Sequence, residues 1–235
     1  MRLLQIALVA LPLFVSAAHR HYSSTTMMLQ QKTAVRNAVK VSLSHLSAES
    51  IVKQSADIAS TLFTFNKFTG CKAVCIYLSM PNEVSTYPIV EHCLREKKRV
   101  FIPKVTGKRP ADMVLYELTS FDEIERFPRS KWGIPEPDMS SLDLTSPERY
   151  FDLIDLIIVP GVAFDRQCSR VGHGKGYYDC FISRIHQTCT GREGATLPLK
   201  VALSLQEQMF PEVPCAEHDQ ELDYIVTPTE IIGGN

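Results

Sequence analysis

Between Val171 and Asp179 the chain reads Val171-Gly172-His173-Gly174-Lys175-Gly176-Tyr177-Tyr178-Asp179: alternating glycines around a lysine, then two aromatics and a carboxylate. Alternating glycines let a backbone approach a ligand closely and turn its N–H groups inward, which is what phosphate oxygens need. Lys175 adds a point charge, and a helix starting near Gly176 would aim its positive end at the same spot. The apolar run Ile154 to Pro160 precedes this segment and reads as a buried strand. Strand, loop and helix in that order form the setting in which open α/β sheets bind anions. The spacing is neither the dinucleotide fingerprint G-x-G-x-x-G nor a P-loop, because no Gly-Lys-Ser/Thr follows a four-residue gap. On the motif alone, an ordinary surface glycine loop stays open as the alternative.

Other residue types able to do chemistry are scattered. Lys32 and Arg36 are four apart in a predicted helix and so share a face, where they could grip phosphate oxygens; by spacing alone they equally describe a solvated helix face. Asp179 and Asp219 are carboxylates of a kind that Mg²⁺ accepts one or two at a time. Asp179 could instead stabilise the start of its helix, and Asp219 could be a plain turn residue. Glu83 could accept hydrogen bonds from a heteroaromatic ring, and Trp132 could offer it a flat apolar surface. A loop carboxylate and a lone core tryptophan are the plain alternatives.

Arg170 through Asp179, with Pro160-Gly161-Val162-Ala163-Phe164-Asp165 upstream, resembles the 5-formyltetrahydrofolate cyclo-ligases, also called methenyltetrahydrofolate synthetases. Three further segments fall in that family's order: Lys32-Thr33-Ala34-Val35-Arg36, Tyr77-Leu78-Ser79-Met80-Pro81-Asn82-Glu83, and Pro214 through His218-Asp219 to Asp223. The similarity spans about Leu29 to Thr229; the glycine segment is quite specific, and the others persuade by their order.

The resemblance implies an ATP- and Mg²⁺-dependent conversion of 5-formyltetrahydrofolate to 5,10-methenyltetrahydrofolate, ADP and phosphate, through a phosphorylated formyl group. It implies Lys175 and Arg170 as catalytic. It places ATP on Lys32, Arg36, Arg170, Gly172, His173, Gly174, Lys175, Gly176, Tyr177 and Tyr178, with Tyr178 packed under the loop. It places the folate on Met80, Glu83, Trp132, His173, Gly174, Lys175, Gly176 and Tyr177, and Mg²⁺ on Asp179 and Asp219, with His218 an orienting neighbour. The implied fold is α/β, a single domain with a mostly parallel sheet flanked by helices on both faces (NagB/RpiA/CoA-transferase-like). That fold also suits sugar-phosphate isomerases or deaminases, and a non-catalytic folate- or nucleotide-binding relative is a further alternative. Two positions depart from animal-type members, which usually carry Arg at 173 and a Gly–Asn pair at 168–169. Histidine is only partly charged near neutral pH, so His173 implies a weaker grip on substrate. Cys168 stands where a glycine could adopt positive φ, which leaves the loop's path open.

The elements that must position these residues alternate along the chain. Leu29 to Leu46 lacks Gly and Pro and reads as a helix with Val35, Ala38, Val39 and Leu46 on its apolar side. Ser47 caps a second helix, with Glu49 in its first turn and Ile51, Ile58, Leu62 and Phe65 as its stripe. Ala73 to Ser79 is strand-like, and Pro88 opens a helix to about Lys97. Arg99–Val105 and Met113–Leu118 form a hairpin through Gly107-Lys108-Arg109-Pro110. Phe127 to Pro147 is a proline-spotted, ordered excursion. After the glycine loop come a helix from Gly176 to about Gln187 and short strands at Val201–Leu205 and Tyr224–Thr227. Strands separated by helices point to a mostly parallel sheet.

Composition permits this and excludes little else. A chain of 235 residues, 45% apolar, can bury one core, and a net charge of -1 argues against a general nucleic-acid binder. Seven cysteines without a C-x-x-C fit buried reduced thiols better than disulfides, and Cys215 with His218 has no second pair to complete a zinc site. Residues 1–28 read as a leader outside the fold, and 29–235 as the cyclo-ligase domain. The run Leu3–Ala18 is short for a membrane span. It suits a mitochondrial presequence, with Arg20-His21-Tyr22-Ser23 resembling a matrix-protease site, better than a secretory signal cut at Val15-Ser16-Ala17. Initiation at Met27 or Met28 would give a cytosolic form. The partners expected are small molecules only, with no nucleic acid, no membrane in the mature form, and a monomeric state.

Overall fold

Val74 and Ile76 project to one side of a central sheet and Ala73 and Cys75 to the other, and this alternation divides the core in two. The computed structural model describes residues 17–130, 133–142, 144–146, 148–190 and 196–234, with side chains from Thr26 onward. Its helices are α1 (Ala17–Ser44), α2 (Ala48–Thr64), α3 (Asn66–Gly70), α4 (Tyr87–Arg95), α5 (Glu123–Arg126) and α6 (Tyr177–Cys189). Its strands are β1 (Ala73–Ile76), β2 (Arg99–Val105), β3 (Met113–Leu118), β4 (Leu156–Ile158), β5 (Ala163–Phe164), β6 (Arg170–Val171), β7 (Leu199–Leu203), β8 (Tyr224–Val226) and β9 (Ile231–Gly233).

Seven strands form one sheet in the order β3-β2-β1-β4-β7-β8-β9, and β5 pairs with β6 in a separate ribbon. From β2 to β8 the neighbours run parallel, whereas β3 and β9 close the edges antiparallel. Parallel strands are covered on both faces, which is why β1 and β4 read as unbroken apolar runs rather than alternating ones. Val74, Ile76, Val100, Ile102, Leu156 and Ile158 belong with Ile58 and Leu62 of α2 and Ile89 and Val90 of α4. On the opposite face Cys75, Phe101 and Ile157 belong with Phe181, Ile182 and Ile185 of α6. The expected mostly parallel sheet, covered on both faces, is thus observed. So is the β2–β3 hairpin, in register from Val100↔Leu118 to Val105↔Met113.

A third, smaller cluster matters most for function. Val39 of α1 packs with Ala163, Val171 and Val213, joined by half-buried Val35, Leu43 and Phe210. It clamps α1 onto the β5–β6 ribbon that carries the glycine loop.

Several local readings are revised. Helix α1 extends N-terminally of Leu29 to Ala17, through a stretch free of Gly and Pro. Ala38 faces solvent, and Lys32 with Arg36 lies on the inward side instead, because α1 turns toward a polar partner as well as the apolar ribbon. Phe65 is the C-cap of α2 and still packs against the cluster of Ile51, Ile58 and Leu62, while Ser47 caps the N-terminus by accepting from the Ser50 amide at 3.1 Å. Strands β5, β6 and β9 and the short α3 had no sequence signal strong enough to announce them. None of the seven cysteines forms a disulfide, and Cys71, Cys75, Cys93, Cys168 and Cys189 are buried. Burial pushes the Cys93 thiol up to about 12 and Cys75 higher still.

Candidate active site

The glycine loop begins with a buried turn. Asp165, 1% exposed, accepts hydrogen bonds from the amides of Gln167 (3.0 Å), Ser169 (3.0 Å) and Val213 (2.9 Å). Three amide donors offset the cost of burying that carboxylate, and they tie the turn to the segment that later carries Asp219. Within the turn Cys168 adopts φ +63°, a left-handed conformation that glycine takes freely and other residues take at a cost. The turn therefore holds this left-handed path without a glycine, braced by Asp165.

Beyond the turn, β6 presents Arg170, which is buried. Its Nη2 donates to Asp179 Oδ1 at 2.5 Å and its Nη1 to the Pro160 carbonyl at 3.2 Å, while Nε is buried with no partner. A Cβ at Gly172 would lie 2.8 Å from Arg170 Nη1, so any larger residue there displaces the guanidinium. Gly174 (φ +85°) and Gly176 (φ +69°) hold the loop open, and Gly176 caps α6 without any side chain. The first amides of α6 therefore remain available as donors at the positive end of the helix. Lys175 and His173 are exposed at the tip. Tyr177 Oη donates to the Gly107 carbonyl at 3.0 Å, so the β2–β3 turn leans on the loop. Tyr178 packs toward Phe181 beneath it, its phenol pushed well up by burial.

Helix α1 meets this loop from the side. Arg36 Nε donates to the Gly172 carbonyl at 2.8 Å, and its Nη2 lies 3.2 Å from where a Gly174 Cβ would stand. One turn earlier Lys32, 8% exposed, forms an ion pair with Asp219 Oδ2. Both cations are thus part of a built site and do not form a solvated face.

Asp219 and Asp179 are drawn together by the residue between their contacts. The Gln220 amide donates to Asp179 Oδ1 at 3.1 Å, and its side-chain amide reaches Ser183 Oγ of α6 at 3.3 Å. Burial alone would raise the Asp219 carboxyl. The Ala216 amide, donating at 2.6 Å, and the Lys32 ammonium outweigh that and hold it below the usual carboxylate range. His218 stays 3.9 Å from Asp219 Oδ1, a neighbour and not a tight partner. Among the described residues no cluster of three or more His, Cys, Asp or Glu could cage a metal ion. Two carboxylates beside a phosphate-type loop do fit the way Mg²⁺ is held, with phosphate and water completing its shell.

The expected folate-side residues come from the loop after β1. Glu83 Oε2 accepts from the Met80 amide at 2.8 Å, and Oε1 lies 3.9 Å from His173 Nε2 across the gap to the glycine loop. Met80 and Glu83 line a groove together with Ile51, Ser55, Tyr87 and Arg129. Buried Thr86 pins this loop by donating from Oγ1 to the Tyr77 carbonyl at 2.7 Å. Trp132 lies outside the described residues. Asp165, Gln220 and Arg129 carried no sequence signal of a role; the first two act through backbone hydrogen bonds that no spacing rule reveals.

The model of the 5-formyltetrahydrofolate cyclo-ligase family matches residues 28–228. A Schizosaccharomyces pombe protein named a probable 5-formyltetrahydrofolate cyclo-ligase is 38% identical over 87% of this chain and 98% of its own length. The Arabidopsis thaliana protein named 5-formyltetrahydrofolate cyclo-ligase, mitochondrial, is 30% identical over 93% of this chain and 81% of its own. The solved Aquifex aeolicus 5,10-methenyltetrahydrofolate synthetase is similar in fold, with a TM-score of 0.64 and 29% identity, covering 86% of this chain and 92% of that one.

Proposed function

Since the chain belongs to the 5-formyltetrahydrofolate cyclo-ligase family, we propose that, with Mg²⁺ bound, it uses ATP to convert 5-formyltetrahydrofolate to 5,10-methenyltetrahydrofolate, releasing ADP and phosphate. The observation that carries this reading is the convergence of Lys32, Arg36 and Arg170 with Asp179 and Asp219 on one glycine loop. A cation cluster with adjoining carboxylates suits a metal-bound triphosphate better than a sugar monophosphate.

In this proposal the formyl oxygen attacks the γ-phosphorus and ADP leaves. N10 then attacks the activated carbon, phosphate departs with the former formyl oxygen, and the N10 proton is released. The reaction asks for positioning and charge stabilisation rather than a protein nucleophile. Lys175 and Arg170 stabilise charge on the transferring phosphoryl, Arg36 holds the loop and a phosphate oxygen, and the amides after Gly172, Gly174 and Gly176 donate to the remainder. Tyr177 and Tyr178 support the nucleotide side of the loop. Met80 and Glu83 face the folate, and His173 bridges the two ligands opposite Glu83. Asp179 and Asp219 would hold Mg²⁺, which neutralises phosphate charge when bound.

Residues 29–235 form the catalytic domain in this reading, acting as a monomer on small molecules. The segment before it directs the protein to mitochondria, as the name of the Arabidopsis relative supports, with a start at Met27 or Met28 giving a cytosolic form. Among the described residues no helix is long and apolar enough to cross a membrane.

The test is direct. Protein beginning at Met28 is mixed with 5-formyltetrahydrofolate, ATP and Mg²⁺, and the near-ultraviolet absorbance of the methenyl product is followed. Product should form only when all three are present; no product from folded protein refutes the proposal. Lys175→Ala should cut turnover at least about 100-fold, as for lost transition-state donors, with the melting temperature almost unchanged.

A further inference from the structure

Four side chains in this site pair in an unusual way. Lys32 bonds Asp219, and Arg170 bonds Asp179 at 2.5 Å. Each pair joins a residue proposed to hold phosphate with one proposed to hold metal. All four side chains are mostly buried, the most exposed being Asp179 at 22%. The pairs are also linked, since the Gln220 amide bonds Asp179 while its neighbour Asp219 bonds Lys32. Arg170 is not fully satisfied by this arrangement, because its buried Nε lacks a partner.

From this geometry we infer that nucleotide and divalent cation enter by exchanging partners with these two ion pairs, so that the carboxylates select against metal-free nucleotide. This inference rests on the nucleotide reading above. A triphosphate that draws Lys32 and Arg170 onto its oxygens strips Asp219 and Asp179 of their cations. Two carboxylates are then left facing phosphate, with the Ala216 and Gln220 amides as their remaining hydrogen bonds and exposed His218 3.9 Å from Asp219. Like charges set together in a partly buried site are costly. Mg²⁺ arriving with the nucleotide replaces the lost cations and removes that cost. Asp179 and Asp219 therefore act as a gate on nucleotide form as well as metal ligands.

Binding without turnover tests this. The affinity of ATP for wild-type protein, D179N and D219N is measured by titration calorimetry in EDTA and again in excess Mg²⁺, with thermal melts confirming that each variant is folded. In EDTA the variants should bind ATP on the order of tenfold tighter than wild type. In Mg²⁺ they should bind more weakly than wild type, so that the preference is reversed. A pure metal-ligand role leaves metal-free ATP unchanged in the variants, and a merely structural role weakens both forms; either result overturns the inference. Should D179N fold poorly because Arg170 is buried beside it, D219N carries the comparison. Wild type supplies an independent arm, because Mg²⁺ must tighten its ATP binding at least about tenfold and equal affinities overturn the exchange. Wild type that binds ATP under neither condition refutes the nucleotide reading itself, and the inference falls with it.

Discussion

Replacing Lys32 by Met should cost far more stability than removing an exposed lysine. The ammonium and its Asp219 partner are 10% and 15% exposed, so both have left most of their water. Removing one partner of a fully buried pair costs about 3–5 kcal/mol. Here the Ala216 amide still supports Asp219 at 2.6 Å and the methionine stem keeps its packing, so about 2–3 kcal/mol is the reasonable scale. For a domain of this size that lowers the melting temperature by roughly 5–10 °C. The control is Lys53→Met, whose pair with Asp57 at 2.6 Å is 78% and 41% exposed and should be worth about half a kcal/mol or less. The pH dependence has a definite sign. The Asp219 carboxyl is held below its ordinary value, so its contribution is full above the unfolded-state value near pH 4 and fades as pH falls through the folded one. The gap between wild type and Lys32→Met should therefore be constant from about pH 5 to 8 and narrow below about pH 4. Urea denaturation across pH measures it. A Lys32→Met loss no larger than that of Lys53→Met, or a gap that widens in acid, would refute the buried-pair argument.

Two further outcomes follow from backbone geometry. Cys168→Gly should stay within about 1 kcal/mol of wild type in urea, since relief of left-handed strain offsets the lost burial; Cys168→Val, β-branched at φ +63°, should lose clearly more. A Val variant as stable as Gly would show that the turn is not locked at this φ. Gly174→Ala, at φ +85° and against Arg36, should cut kcat/KM for ATP at least about 30-fold with a stability loss near 1 kcal/mol; near-normal turnover would remove Arg36 and the loop backbone from the site.

The alternation of apolar runs with helical segments was enough to specify a mostly parallel sheet, because strands buried on both faces must be continuously apolar. The glycine spacing likewise marked a tight loop, since glycine adopts φ of +85° or +69° freely and a Cβ would crowd Arg170 or Arg36. Cys168 shows where this legibility stops. Its residue type argues against a left-handed turn, and the conformation is imposed by Asp165, whose three amide donors come from two separated segments. The same holds for the charges. A lysine and an arginine four apart describe a solvated helix face equally well until the packing of Val39 on Ala163 and Val171 turns that face inward. Likewise Asp219 sits in a turn, as its sequence alone allowed, but the next residue's amide bonds Asp179 and Lys32 pairs with its carboxylate. Local propensity and periodicity are properties of neighbouring residues and are written along the chain. The pairing of Lys32 with Asp219 joins groups 187 positions apart, so which charge meets which was decided only when the tertiary fold excluded water from between them.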